Sequence, residues 1–228
     1  MHDTTRSRPL HVDDRLALGL VAALAVVCLA TGWAPPAGRL NWALEVGPGV
    51  VGVGVLVATH RRFPMSRLVH VGVFVHVLLL VYGGYYTYAN TPLGEWAKQA
   101  FGFARNHYDR VGHVALGFFP AFVIREVLLR RTPLQRGGWI FFLVVSVALA
   151  IGAFWELLEW WTTLVVAGDV GTAFLGSQGD VWDAQWDMFL ALVGAAVALA
   201  LGSGAHDRAI ERVLARGTSS TSGGAGGR

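Results

Sequence analysis

Three short pairs of ionisable residues hold the chemistry available to this sequence. Asp109 and His113 stand four apart, Glu156 and Glu159 three apart, and Asp183 and Asp187 four apart, with Asp180 three residues ahead of the last pair. Separations of three and four put each pair on one face of a helix. Helices that each offer such a pair can gather oxygen and nitrogen ligands at one point of a bundle. Carboxylates with a single imidazole suit Mg²⁺, Mn²⁺, Ca²⁺ or Zn²⁺. Asp109, His113, Glu156, Glu159, Asp180, Asp183 and Asp187 are therefore candidate metal ligands. In an enzymatic version, His113, Glu156 or Glu159 would be the general base, with Asp109, Asp183 and Asp187 holding the metal.

The elements that must position these pairs are membrane helices. Of the 228 residues, 54% are hydrophobic and only 14% are charged, too apolar a balance for a soluble domain of this length. The single cysteine, Cys28, lies in an apolar run, so neither a disulfide framework nor a cysteine-based zinc site is expected. The net charge of +3 does not point to nucleic acid, because the basic residues follow the membrane pattern described below.

Six apolar runs are long enough to span a bilayer, and each needs about 20 residues. They cover Leu16–Trp33, Trp42–Thr59, Leu68–Tyr88, Val111–Leu129, Gly138–Val166 and Trp186–Leu201. The first follows Arg6, Arg8 and Arg15 as a signal peptide would, but Trp33-Ala-Pro-Pro is a poor cleavage site, so a retained helix is expected. Between Pro92 and Asn106, apolar residues recur at threes and fours against Glu95, Lys98, Gln99 and Arg105, the pattern of an amphipathic helix lying in the interface. Tyr82, Tyr85, Tyr86 and Tyr88 read as an aromatic girdle, and Trp182 and Trp186 as an interfacial anchor. His70 and His76 read as interhelical hydrogen-bonding residues, and Arg125 and Glu126 as a snorkelling or locally paired couple. Residues 1–15 form a polar N-terminal segment, 16–202 the membrane domain, and 203–228 a tail whose Gly- and Ser-rich end has nothing to bury.

Six spans put both termini on one side. That side holds 14 of the 18 Lys and Arg residues; the other holds only Arg39, Lys98, Arg105 and Arg110. The positive-inside rule then predicts cytoplasmic termini. On this topology Glu45 and all the candidate ligands gather at the outer ends of spans two, four, five and six. Charges near hydrocarbon are costly when isolated, so such a gathering calls for a cation, shared protons or basic partners.

Three functions fit. The site binds a divalent cation and a lipid or lipid-linked headgroup of the outer leaflet. Alternatively, the acids serve a small ion- or proton-coupled transporter, or they lock helices in a structural or partner-binding protein, neutralised by Arg105, Arg110 and solvent. No Lys/Arg-rich phosphate motif, serine-nucleophile motif or metalloprotease element is present.

At Asn106-His-Tyr-Asp-Arg-Val-Gly-His113, Phe154-Trp-Glu-Leu-Leu-Glu-Trp-Trp161 and Gly176-Ser-Gln-Gly-Asp-Val-Trp-Asp-Ala-Gln-Trp-Asp-Met188, the chain resembles the YjdF family of bacterial inner-membrane proteins, over about residues 16–202. That family carries a domain of unknown function, so the resemblance implies a bacterial cytoplasmic-membrane location and no activity. A remoter similarity is to VanZ-like membrane proteins, through Asp109/His113, Glu156 or Glu159, Asp183 and Gly194, with Asp187 standing where that pattern has Asn. The expected architecture is all-α: six transmembrane helices plus a short interfacial amphipathic helix.

Overall fold

The computed structural model of the chain describes residues 12–166, 171 and 175–222. Among these it is all-helical, with α1 (Val12–Gly32), α2 (Arg39–Thr59), α3 (Arg67–Tyr86), a 3-10 turn (Tyr88–Asn90), α4 (Pro92–Phe101), α5 (Tyr108–Arg131), α6 (Gly138–Val165) and α7 (Asp183–Ser222). Every helix except α4 is long and apolar enough to cross a membrane.

Local chemistry sets the boundaries. Ser66 caps α3, its hydroxyl accepting from the Val69 amide at 3.5 Å. Pro92 opens α4, where its missing N–H costs nothing, and Gly102 closes it at φ 67°, a left-handed position that favours glycine. Leu93, Trp96 and Phe101 of α4 are exposed, the apolar face expected of an interfacial helix.

α5 is the centre of the bundle, packed against α3, α6 and α7. Its closest approach is to α7, and small residues make it possible. A Cβ on Gly117 would overlap the Ala191 carbonyl, and one on Gly194 would overlap the Val114 carbonyl. This is the small-residue contact by which membrane helices gain packing where lipid offers no hydrophobic drive. Gly117 lies one turn from His113, and Ala191 one turn from Asp187, so the same contact sets the distance between those two side chains. Gly117→Ala is expected to cost about 1–3 kcal/mol through overpacking. Gly19→Ala, whose Cβ would meet no described atom within 4 Å, should be neutral. Thermal unfolding of the two purified variants checks this.

Four side-chain expectations are corrected. α7 continues well past Leu201, and Ile210 and His206 beyond it are buried, with His206 packed against Phe122 of α5. Arg125 and Glu126 neither snorkel nor pair only locally. Glu126 accepts from the Ser66 amide at 2.9 Å, from Arg130 at 2.5 Å and from His206 at 3.0 Å, while Arg125 reaches His206 and Asp207. His70 bonds the Ser66 carbonyl of its own helix, and His76 stacks on Phe119 with its Nε2 unpartnered among the described residues. Tyr88 is not a girdle residue: it is buried, in space that Gly83 and Gly112 leave open, since a Cβ on either would overlap its ring.

Candidate metal centre

The N-terminal ends of α5 and α7 meet the C-terminal end of α6 at one end of the bundle. Asp109 enters in the first turn of α5, and Asp183 opens α7. The partial positive charge of a helix N-terminus favours carboxylates there. One turn further along each helix stand His113 and Asp187.

Asp109, His113 and Asp187 are all buried, and one ligand atom from each lies within 4.8 Å of the others. His113 Nε2 is the hub, 3.5 Å from Asp109 Oδ1, 3.7 Å from Glu156 Oε1 and 4.0 Å from Asp187 Oδ2. None of these is a short hydrogen bond. His113 Nδ1, Glu156 Oε1 and Asp187 Oδ1 are buried without a hydrogen-bond partner among the described residues. Buried polar atoms are ordinarily satisfied, so the unpaired Glu156 Oε1 and Asp187 Oδ1 of the two acids beside His113 Nε2 mark a place built for something more than the side chains themselves. Two ligands facing each other across Ca²⁺ stand up to about 5 Å apart, and across Mg²⁺ about 4 Å. The observed spacing can therefore hold a cation with little or no contraction.

The other predicted residues take different places. Asp183 turns to Arg105, 2.5 Å from its Nη1. Asp180 lies at the rim, 2.5 Å from Arg110 Nη2 and 3.4 Å from Arg105 Nη1, and accepts from the Trp182 amide at 3.0 Å. That amide first, and then the two arginines, hold the Asp180 carboxyl below its usual range. Glu159 is buried and lines the cavity beside the centre, with Glu45 and Tyr88 on its other walls. Burial, helped by nearby acids, pushes the Tyr88 phenol well above its ordinary pKa, so it stays a neutral donor. Trp182 and Trp186 are exposed, and Arg110 lies over the Trp186 ring at 5.2 Å.

Of two further contributors, the sequence offered the first only as a neutralising partner of the acids and gave the second no site role. Arg105, only 8% exposed, links Asp183, Asp180 and, at 3.8 Å, Asp109. Its signal was the surplus of acids at that end, which required a buried cation among them. The second is the Asn106–Gln178 clamp. The Asn106 amide donates to Gln178 Oε1 at 3.0 Å, and Gln178 Nε2 donates back to the Asn106 carbonyl at 2.9 Å. Asn106 Oδ1 also accepts from the Tyr108 amide at 3.0 Å, and Asn106 Nδ2 donates to the Thr91 carbonyl at 3.1 Å. Asn106 thus ties the start of α4 and the start of α5 through its side chain and the segment before α7 through its backbone, fixing Asp109 relative to Asp183. Nothing in the spacing showed this pairing, because its halves lie 72 residues apart.

Comparison with known proteins agrees with this architecture. A family model described as "Predicted membrane protein (DUF2238)" matches residues 16–208. The chain is similar to inner membrane protein YjdF of Escherichia coli strain K12, with 42% identity over 174 residues, 76% of this chain and 83% of that protein. No solved structure matches. The six spans, the acid–histidine blocks at their ends and these matches agree: the chain is a multi-pass membrane protein of the DUF2238 family.

Proposed function

We propose that Asp109, His113 and Asp187 hold a divalent cation at the outer face of the bacterial inner membrane, where it binds the headgroup of a lipid or lipid-linked molecule. The observation that carries this reading is the convergence of three buried ligand-type side chains with unsatisfied atoms around them. The imidazole favours Mn²⁺ or Zn²⁺ over Ca²⁺, which takes oxygen ligands. Metal-bound imidazoles ordinarily donate their second N–H to a fixed acceptor. His113 Nδ1 has none among the described residues, so whatever Nε2 binds sets the orientation of the ring.

Arg105 supports a phosphate-bearing headgroup. Its Nε and Nη2 are buried with no hydrogen-bond partner among the described residues, and a guanidinium beside a cation suits phosphate oxygens. In an enzymatic version, Glu156, beside His113 but outside the three-ligand group, or Glu159 on the cavity wall, would activate a water as general base. Elemental analysis of the purified full chain tests the reading. One equivalent of divalent metal, removed by chelator and restored on adding Mn²⁺ or Zn²⁺, is the expected result. A chain that neither carries nor takes up metal would overturn it.

A further inference from the structure

Two carboxylates in the wall of the cavity beside the centre have no cation of their own, Glu45 of α2 and Glu159 of α6. Each stands six residues inside the end of its span nearest the centre (Arg39 to Glu45, Glu159 to Val165), about 9 Å along the helix. They share one depth. Glu45 is only 4% exposed, yet its carboxylate makes no hydrogen bond and no ion pair among the described residues. Its oxygens are not sealed inside the protein, as Glu156 Oε1 and Asp187 Oδ1 are, and so face the cavity that Glu45 lines. The position is built: a Cβ on Gly84 of α3 would lie 2.9 Å from the Glu45 Cβ, so the glycine makes room for the glutamate stem. Glu159 takes a hydrogen bond from the Trp155 side chain but has no cationic partner among the described residues.

The arginines at this end are turned to other acids, Arg105 to Asp183, Asp180 and Asp109, and Arg110 to Asp180. Away from the two glutamates the wall continues through Val77, Leu80, Leu116 and Ile124, all apolar. Val55 of α2 and Ile151 of α6, also in the wall, are exposed, so the cavity is open along the spans and not only at their ends.

We propose that Glu45 and Glu159 bind the ammonium group of an amphiphilic cation whose apolar part lies along this wall. Carboxylates set inside a span are costly unless they are paired. An ionised carboxylate only accepts hydrogen bonds, and an ammonium offers three donors together with the missing positive charge. The apolar wall gains little from a tail, because lipid is equally apolar, so the charge does the selecting. The site stands on Glu45, Glu159 and the cavity, and does not require that metal be bound. Two sources carry this chemistry, the amine of a phosphoethanolamine headgroup and a free amphiphilic amine.

The test offers dodecylammonium and dodecanol, one tail with and without the charge, in competition to the full chain in phosphatidylcholine nanodiscs near neutral pH. Retained ligand is read by native mass spectrometry and corrected for nanodiscs without protein. The parent is expected to keep the ammonium about tenfold better than the alcohol. Glu45→Gln and Glu159→Gln should each weaken that preference and the double variant should abolish it. Glu95→Gln, which removes a surface carboxylate paired with Lys98, should leave it intact. In a second arm phosphatidylethanolamine is added to the bilayer. Its enrichment over phosphatidylcholine on the parent names the lipid headgroup as the source, and dodecylammonium retained without such enrichment names a free amine. Equal retention of ammonium and alcohol by the parent, the outcome if both carboxyls hold protons of their own, overturns the proposal. That comparison needs no variant, so it decides even where a glutamine variant does not fold. A preference that survives in the folded double variant overturns the proposal as well.

Discussion

Asp187→Asn is expected to weaken divalent-cation binding by at least about 100-fold, since changes to outer-shell partners alone cost about 10–100-fold. The substitution keeps the size and planarity of the side chain but removes its charge and replaces one candidate oxygen ligand with an amide. Asp187 is 2% exposed and 4.0 Å from His113 Nε2, so water cannot readily take over the lost ligand position. Asp180→Asn is the matched control: it removes the same charge from the rim, where the carboxylate serves Arg110, Arg105 and the Trp182 amide. Metal affinity should change little there. Titration calorimetry with Mn²⁺ on both variants reads the difference. Parent-like affinity in Asp187→Asn, or equal losses in the two variants, would remove Asp187 from the ligand set. Because carboxylates and imidazole bind metal only without their protons, parent affinity should also fall as the pH is lowered.

The same geometry explains why the site lies at the end of the bundle and not at its middle. Two helix N-termini favour the carboxylates of Asp109 and Asp183, Arg105 offsets part of their charge, and the Gly117–Ala191 contact brings the α5 and α7 pairs together. At mid-bilayer the same carboxylates would cost several kcal/mol each.

The six spans were legible because each is an apolar run of bilayer length, and that signal does not depend on which helices are neighbours. The ligand pairs were legible from three- and four-residue spacing. Their sorting was not, because it depends on how each helix is rotated in the bundle. Asp183 and Asp187 share a face, yet one turns to Arg105 and the other to His113. Glu45 showed its depth in the sequence but not its place in the cavity wall, which is fixed by the close approach of α2 to Gly84 on α3. The far end of α7 was hidden for a related reason. Ser203, His206, Asp207 and Arg208 look like a solvated tail, and only the partner on α5 shows that His206 faces inward.

Glu126→Ala should cost about 3–5 kcal/mol of stability, the loss expected when one member of a buried charged group is removed. Glu126 is fully buried at the end of the bundle opposite the candidate metal centre, joining α3, α5 and α7. Arg125 Nη1 donates to His206 Nδ1 at 3.2 Å, so the His206 proton lies on Nε2 and points to Glu126 at 3.0 Å. Deleting the carboxylate strands that N–H, the Ser66 amide at the start of α3, and the charge of Arg130. Isolated interhelical hydrogen bonds in membrane proteins average only about 0.6 kcal/mol. A loss above about 2 kcal/mol would therefore identify a charged network in which the members depend on one another. Glu126→Gln keeps an acceptor for the Ser66 amide but removes the charge, and should fall between parent and Ala. Replacing both partners with apolar residues, as Glu126→Leu with His206→Phe, should recover only the part of the loss that comes from the stranded His206 N–H, since the Ser66 amide and Arg130 stay without the carboxylate. Thermal unfolding in detergent orders the four proteins. A Glu126→Ala protein within about 0.5 kcal/mol of the parent would show that α3, α5 and α7 are held by packing alone.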